Sequence, residues 1–308
     1  MIHTVFFAFF LLFAAMSAAS GLAAEPTAGL PNPFYAMDTA VQRPELTREQ
    51  QFDLLAELGY AGVGWTEPPL QLSDEQALEK VKSDVTEIER HGLKMFAIYC
   101  SARVTREGDL AYSQRLPAIM ETLKGHGTLI WLHIGGKGPA LDSLTAEQPA
   151  IEKLRTLADA AKANQLRIAI YPHVGEWVEH FADAVKLVRL VNRPNFGVTF
   201  NLCHCLATGD EQKIPAMLED AKDILLTVTI CGADSGVTGS KWKQLIQTLD
   251  RGTFDTQIVL RTLKQIGFLG PIGFQGYGIK DDARSILVPT IEAWRKLSAA
   301  AASAAETK

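Results

Sequence analysis

Eight short apolar runs, each followed by a stretch with helical spacing, constrain this chain more than any other feature. The runs are Phe34–Met37, Gly62–Trp65, Met95–Tyr99, Leu129–His133, Arg167–Tyr171, Phe196–Phe200, Leu225–Ile230 and Ile272–Gln275. The intervening segments place apolar residues three and four apart, as in Gln51-Leu54-Leu55-Leu58 and Leu78-Val81-Val85-Ile88. Further helices are expected at Leu116–Leu123, Ile151–Asn164, Phe181–Leu190, Ile214–Ala221, Gln257–Ile266 and Ser285–Leu297. A strand that is apolar on both faces must be covered on both faces, so the pattern predicts a parallel sheet wrapped by helices. Eight such units fit an α/β chain folded as a single (β/α)8 barrel over residues 25–298. An open doubly wound sheet is the alternative. No Gly-x-Gly-x-x-Gly opens a helix, so its dinucleotide-binding form has no support.

The ends of the chain read differently. The first 24 residues hold no Lys, Arg, Asp or Glu, and Val5–Ala15 is an apolar run followed by small residues. This predicts a signal peptide over residues 1–24, export to a periplasmic or extracellular space, and no stable membrane insertion after cleavage. The Ala/Ser-rich end, 299–308, is expected to be a flexible tail. The net charge of −5 argues against a nucleic-acid partner. The four cysteines, Cys100, Cys203, Cys205 and Cys231, read as small buried hydrophobes rather than a disulfide framework.

In a barrel of this kind chemistry sits at the C-terminal strand ends. There the sequence places Trp65 and Glu67, then Arg103, then His133 and Lys137. His173, Glu176 and Trp177 follow the fifth run, Asn201 and His204 the sixth, Asp234 the seventh, and Gln275 and Tyr277 the eighth. His173, His204 and Glu176 are the candidate acid–base groups, since imidazole titrates in the useful range. Trp65, Glu67, Arg103, His133, Lys137, Asn201, Asp234 and Gln275 are candidate substrate contacts. Trp65, Trp177 and Tyr277 are candidates to stack on a sugar ring. His133, His173 and His204 together form a minority candidate for a metal site, because three imidazoles with an open position suit zinc. The longest connection, Gly232–Thr253, is expected to cover or line the site.

The order of several motifs resembles the sugar isomerase/epimerase family with the xylose-isomerase-like barrel. They are Leu58-Gly-Tyr-Ala-Gly62, His91-Gly-Leu-Lys94, Arg167–His173, Asn195–His204 and Gly267-Phe-Leu-Gly-Pro-Ile-Gly-Phe-Gln275. Within it the chain looks most like exported bacterial members with an Asn-Leu-Cys-His ending on the sixth strand. The resemblance implies a divalent metal, often Mn²⁺, held by Glu, Asp, His and Glu from strands five to eight. Those positions here read Tyr171, Asn201, Thr229 and Gln275. Hard cations want carboxylate oxygens, so no tightly bound ion is expected there. The family's two glutamate acid–base groups are missing with them. His204 matches a family His that faces substrate, and His173 a rim His. The resemblance thus implies a carbohydrate-acting isomerase or epimerase with rebuilt proton-transfer chemistry, possible also as a hydratase or lyase, with a small-molecule carbohydrate as its partner. The alternative is a degenerate barrel that only binds carbohydrate.

Overall fold

The computed structural model describes residues 29–304, so the expected signal peptide, 1–24, lies outside the described residues. Among these residues nine strands form: β1 Phe34–Met37, β2 Gly62–Thr66, β3 Lys94–Val104, β4 Leu110–Tyr112, β5 Leu129–Gly136, β6 Arg167–Ile170, β7 Phe196–Asn201, β8 Leu225–Ile230 and β9 Ile272–Phe274. Eight of them pair in parallel in the order β1-β2-β3-β5-β6-β7-β8-β9, and β9 pairs back onto β1. The sheet is therefore a closed barrel with helices outside it, and the open-sheet alternative is excluded. Among the described residues no helix is long and apolar enough to cross a membrane.

The helices start where side chains satisfy the free backbone N–H groups. Thr47 with Gln50 and Ser73 with Gln76 form reciprocal capping boxes at the first two long helices, Arg48–Leu58 and Asp74–Arg90. Gly59 closes the first of these at φ +83, a left-handed conformation that a side chain disfavours.

Strand alternation divides the core in two. Phe34 and Ala36 join the large layer between strands and helices, while Tyr35 and Met37 join an inner cluster with Ala97, Trp131, Ala169 and Tyr171. Small residues make room for this filling. A Cβ on Gly273 would lie 2.4 Å from the Tyr35 ring, and one on Gly64 would lie 2.4 Å from the Met37 sulfur. The barrel interior is thus packed up to the level of Tyr171, and any site must lie above it.

Three departures from the expected layout follow from pairing that the apolar runs do not show. β3 and β5 run on to Val104 and Gly136, well past Tyr99 and His133, because they keep pairing with each other above the barrel. β4 then adds antiparallel to this extension. The last helix, Ala283–Ser303, continues into the segment expected to fray. There Ala301 is fully buried, and Lys264 Nζ donates to the carbonyls of Ala302 and Ala304 at 2.8 Å each.

Candidate active site

Parallel strands bring all their C-terminal ends to one end of the barrel, and a cavity of about 350 Å³ opens there. β1 leads into Met37, Asp38 and Thr39, β2 supplies Thr66, and β3 supplies Tyr99. Tyr171 and His173 follow β6, and Cys203 and His204 sit on the short helix Leu202–Ala207 after β7. Trp242 and Ile246 come from the long Gly232–Thr253 connection, which does line the site, and Gln275 and Tyr277 close the ring after β9.

The floor is a neutral hydrogen-bond network built on the positions where the family resemblance implies metal ligands. The Asn201 amide donates to the Tyr171 hydroxyl. Gln275 Nε2 points at the same oxygen from 3.4 Å. Gln275 Oε1 accepts from Thr39 Oγ1 at 3.0 Å and from the Tyr277 N–H at 3.1 Å. Asn201 Oδ1 accepts from the Cys203 thiol at 3.0 Å. Burial holds the Tyr171 phenol and the Cys203 thiol well above their ordinary ranges, so both keep their protons. Thr229, the fourth position, is buried with its hydroxyl unpartnered among the described residues. No carboxylate or imidazole stands at the four positions, and three of the four side chains are engaged with one another. This donor set does not fit a hard divalent cation. Nor does any group of three His, Cys, Asp or Glu side chains among the described residues stand in a metal-holding arrangement, which counts against the three-histidine site.

One wall carries the histidines. The His173 and His204 rings lie 4.1 Å apart between centroids, and His133 stands 6.1 Å beyond His173. Val174 fixes both tautomers. Its carbonyl, which can only accept, lies 2.9 Å from His173 Nδ1, so that nitrogen carries hydrogen and Nε2 keeps a lone pair in the neutral ring. Its N–H, which can only donate, lies 3.2 Å from His204 Nδ1, so His204 carries its hydrogen on Nε2. Burial, and then the neighbouring His173 and His133, push the His204 pKa well below the usual imidazole value. His204 is therefore a neutral hydrogen-bond donor, with Trp242 set edge-on at 5.2 Å. His173 is the group with a free basic nitrogen.

His133 is one layer back. It stacks on Tyr99 at 4.7 Å and 6°, with Nε2 2.7 Å from the Ser101 hydroxyl. Burial lowers its pKa to about 4. Glu176 stands behind it, 3.9 Å from His133 Nδ1, and does not line the cavity.

Several expected contacts lie elsewhere. Trp65 points away from the cavity toward the helix layer, because Thr66 takes the inward position; its indole packs on Phe52, donates to Asp84 Oδ2 at 2.8 Å and borders the outer cleft that Glu67 also lines. The Trp177 N–H donates to the Pro139 carbonyl at 2.9 Å, so its ring is also off the cavity. Arg103 is exposed on the β3 extension and Lys137 is exposed just past β5, both carried away by the unexpected length of those strands. Asp234 is held by its own N–H to the Gln244 carbonyl and does not line the cavity. Glu67 accepts from the Ser101 N–H at 3.1 Å and lines an adjoining outer cleft of about 500 Å³. Asn201 lies in the floor beneath the cavity, while Gln275 and Tyr277 line it.

Asp38 is the residue the sequence analysis missed. It is 3% exposed, directly after β1, and lines both the cavity and the outer cleft. Its only signal in the sequence is an acidic residue ending the first apolar run.

The architecture has many solved counterparts. A xylose isomerase-like TIM barrel/4-hydroxyphenylpyruvate dioxygenase fusion protein superposes with TM-score 0.62 at 18% identity, over 85% of this chain and 42% of that one. A 3-keto-D-glucoside 4-epimerase from E. coli gives 0.59 at 14%, covering 86% and 99% of the two chains. A D-allulose 3-epimerase from Methylomonas sp. gives 0.59 at 14%, covering 87% and 99%. At these identities the likeness establishes the fold alone. No curated protein sequence matches the chain. The sequence description of one family does match, over residues 52–297, which is most of the chain, and the protein belongs to the xylose isomerase-like TIM barrel family.

Proposed function

We propose that this protein is a carbohydrate-acting isomerase or epimerase that moves a proton next to a carbonyl on a neutral sugar or keto-sugar. The supporting observation is the complementary pair on one wall: His173 with Nε2 free to take a proton, and His204 with Nε2–H free to donate. His173 removes the proton from the carbon beside the carbonyl, the C–H electron pair becomes the C=C bond of an enediolate, and the carbonyl π pair moves onto oxygen. His204 hydrogen-bonds the carbonyl oxygen as charge builds there, an electrostatic contribution that needs no change in its own protonation. Trp242 and Tyr277 offer apolar faces to a sugar ring, and about 350 Å³ is within the range of small-molecule sites. The uncharged apolar start of the chain points to export, where neutral sugars and glycosides are the substrates at hand. The resemblance of the fold to sugar epimerases supports the same substrate class.

The chemistry proposed needs no divalent metal at the Tyr171, Asn201, Thr229 and Gln275 positions. The test is proton NMR in D₂O with D-allulose, L-ribulose and methyl 3-keto-glucoside, with and without EDTA. Loss of the proton beside the carbonyl, unchanged by EDTA, is the expected result. Saturable binding with no exchange in any of the three would replace this reading with that of a carbohydrate-binding barrel.

A further inference from the structure

Asp38 occupies a place that the His173–His204 chemistry does not use. Its Oδ2 is held by the Thr66 N–H at 2.9 Å and by Gln42 Nε2 at 3.4 Å. Its Oδ1 is buried and has no hydrogen-bond partner among the described residues. Leaving a carboxylate oxygen unpaired away from water is costly, so such a group calls for a partner or a chemical role. Asp38 lines the cavity together with His173 and His204, so a ligand bound there meets this carboxyl group.

Topology fixes where Asp38 stands relative to His173. In the closed order β1-β2-β3-β5-β6-β7-β8-β9, β6 is four strands from β1 in either direction. Asp38 follows β1 and His173 follows β6, so the two groups face the same cavity from opposite sides of the barrel mouth. A sugar ring lying between them presents one face to each.

We propose that Asp38 is a second proton-transfer residue, working across the cavity from His173 on the opposite face of a keto-sugar. The proposal rests on the proton-transfer reading of the site. His173 Nε2 takes the proton from one face of the carbon beside the carbonyl, the C–H pair becomes a C=C bond, and the carbonyl π pair moves onto oxygen to give an enediolate. Asp38, as the carboxylic acid, delivers its own proton to the other face of that carbon; the C=C pair forms the new C–H bond and the oxygen lone pair restores the C=O bond. The carbon is inverted, no atom is gained or lost, and no oxidant is required. His173 ends protonated and Asp38 ends as a carboxylate. Exchange with solvent, for Asp38 through the outer cleft that it also lines and for His173 through the cavity mouth, returns both to their starting forms. Burial raises the Asp38 pKa, which favours the acid form that this step uses.

The wild type and Asp38→Asn are compared in D₂O with D-allulose, L-ribulose and methyl 3-keto-glucoside, reading deuterium uptake and epimer formation separately by NMR. Quenching of Trp fluorescence reads binding. Wild-type product is expected to carry deuterium from its first appearance, because the delivered proton comes from a different group than the one that took the substrate proton. Asp38→Asn is expected to bind within about threefold of wild type, to keep deuterium uptake by one epimer through His173, and to lose epimer formation by about a hundredfold. Epimer formation within threefold of wild type, or joint loss of uptake and binding, would overturn the assignment while leaving the proton-transfer reading in place. Should the variant not fold, undeuterated early product from the wild type would overturn it equally. No uptake by the wild type with any of the three sugars would end both the reading of the site and the assignment of Asp38.

Discussion

The two backbone polar groups of Val174 set the hydrogen positions of both cavity histidines: its N–H donates to His204 at 3.2 Å, and its carbonyl accepts from His173 at 2.9 Å. A single residue thereby turns two chemically identical side chains into a donor and a base. The assignment is directly measurable. ¹⁵N NMR of labelled protein is expected to show His204 as the neutral Nε2–H tautomer at pH 7 and His173 with hydrogen on Nδ1.

The same roles separate the variants. His204→Gln keeps an N–H donor near the carbonyl oxygen, whereas His204→Ala removes it. With a turned-over sugar, His204→Ala is expected to lower kcat/KM at least tenfold, about 1.4 kcal/mol, and His204→Gln to recover part of that loss. His173→Ala is expected to lose at least as much, with no recovery in His173→Gln, because an amide is not a base. Near-wild-type rates in both alanine variants would rule out this division of labour.

Tyr171→Phe removes the oxygen on which Asn201 and Gln275 converge. Two buried amide donors lose their acceptor, so the fold is expected to lose about 1–3 kcal/mol by denaturant unfolding. An unchanged midpoint would mean that the floor network does not hold those side chains.

Trp65 and Asp84 separate a structural role from a functional one. Asp84 is 1% exposed and takes the Trp65 indole N–H together with the Arg48 and Lys80 charges. Asp84→Asn is expected to cost about 3 kcal/mol in stability by weakening a buried ionic cluster. Sugar binding in the same variant is expected to stay within twofold of wild type, since none of the cluster's residues lines the inner cavity. A selective loss of binding with full stability would return Trp65 to the site.

Acid should weaken the protein through its buried imidazoles. Burial lowers the His133 pKa to about 4 against an ordinary 6.5, and His204 is likewise held well below 6.5. Between those values the unfolded chain binds more protons, so stability falls as the pH drops from about 7 toward 4. The His133 share is on the order of 2 kcal/mol, given its partial contact with solvent. Asp38 works in the opposite sense: its raised pKa means the fold prefers the acid form, so its unfavourable contribution at neutral pH fades as the pH falls. Chemical denaturation of wild type and His133→Phe across this range is expected to show a shallower acid loss in the variant. Parallel pH curves would place the effect elsewhere.

The sequence by itself determined the barrel. Runs such as Phe196–Phe200 and Leu225–Ile230 are apolar on both faces, and only a helix-covered parallel sheet buries both. Eight of them with interleaved helices leave closure as the economical solution. The sequence also determined that Tyr171, Asn201, Thr229 and Gln275 bring no charge to the rim, and that the long Gly232–Thr253 connection lines the site. Only the tertiary structure decided which rim residues face inward. Trp65 and Thr66 are neighbours, and the strand's twofold alternation sends one out and the other in; a run with no polar alternation carries no marker of that phase. Arg103 and Lys137 were carried off by pairing between β3 and β5 above the barrel, an interaction between segments that neither segment announces. Asp38 is the converse case. One acidic residue after an apolar run is unremarkable in sequence, and its meaning comes from ring closure, which sets β1 directly across the mouth from β6 and buries its carboxylate against the cavity the histidines share.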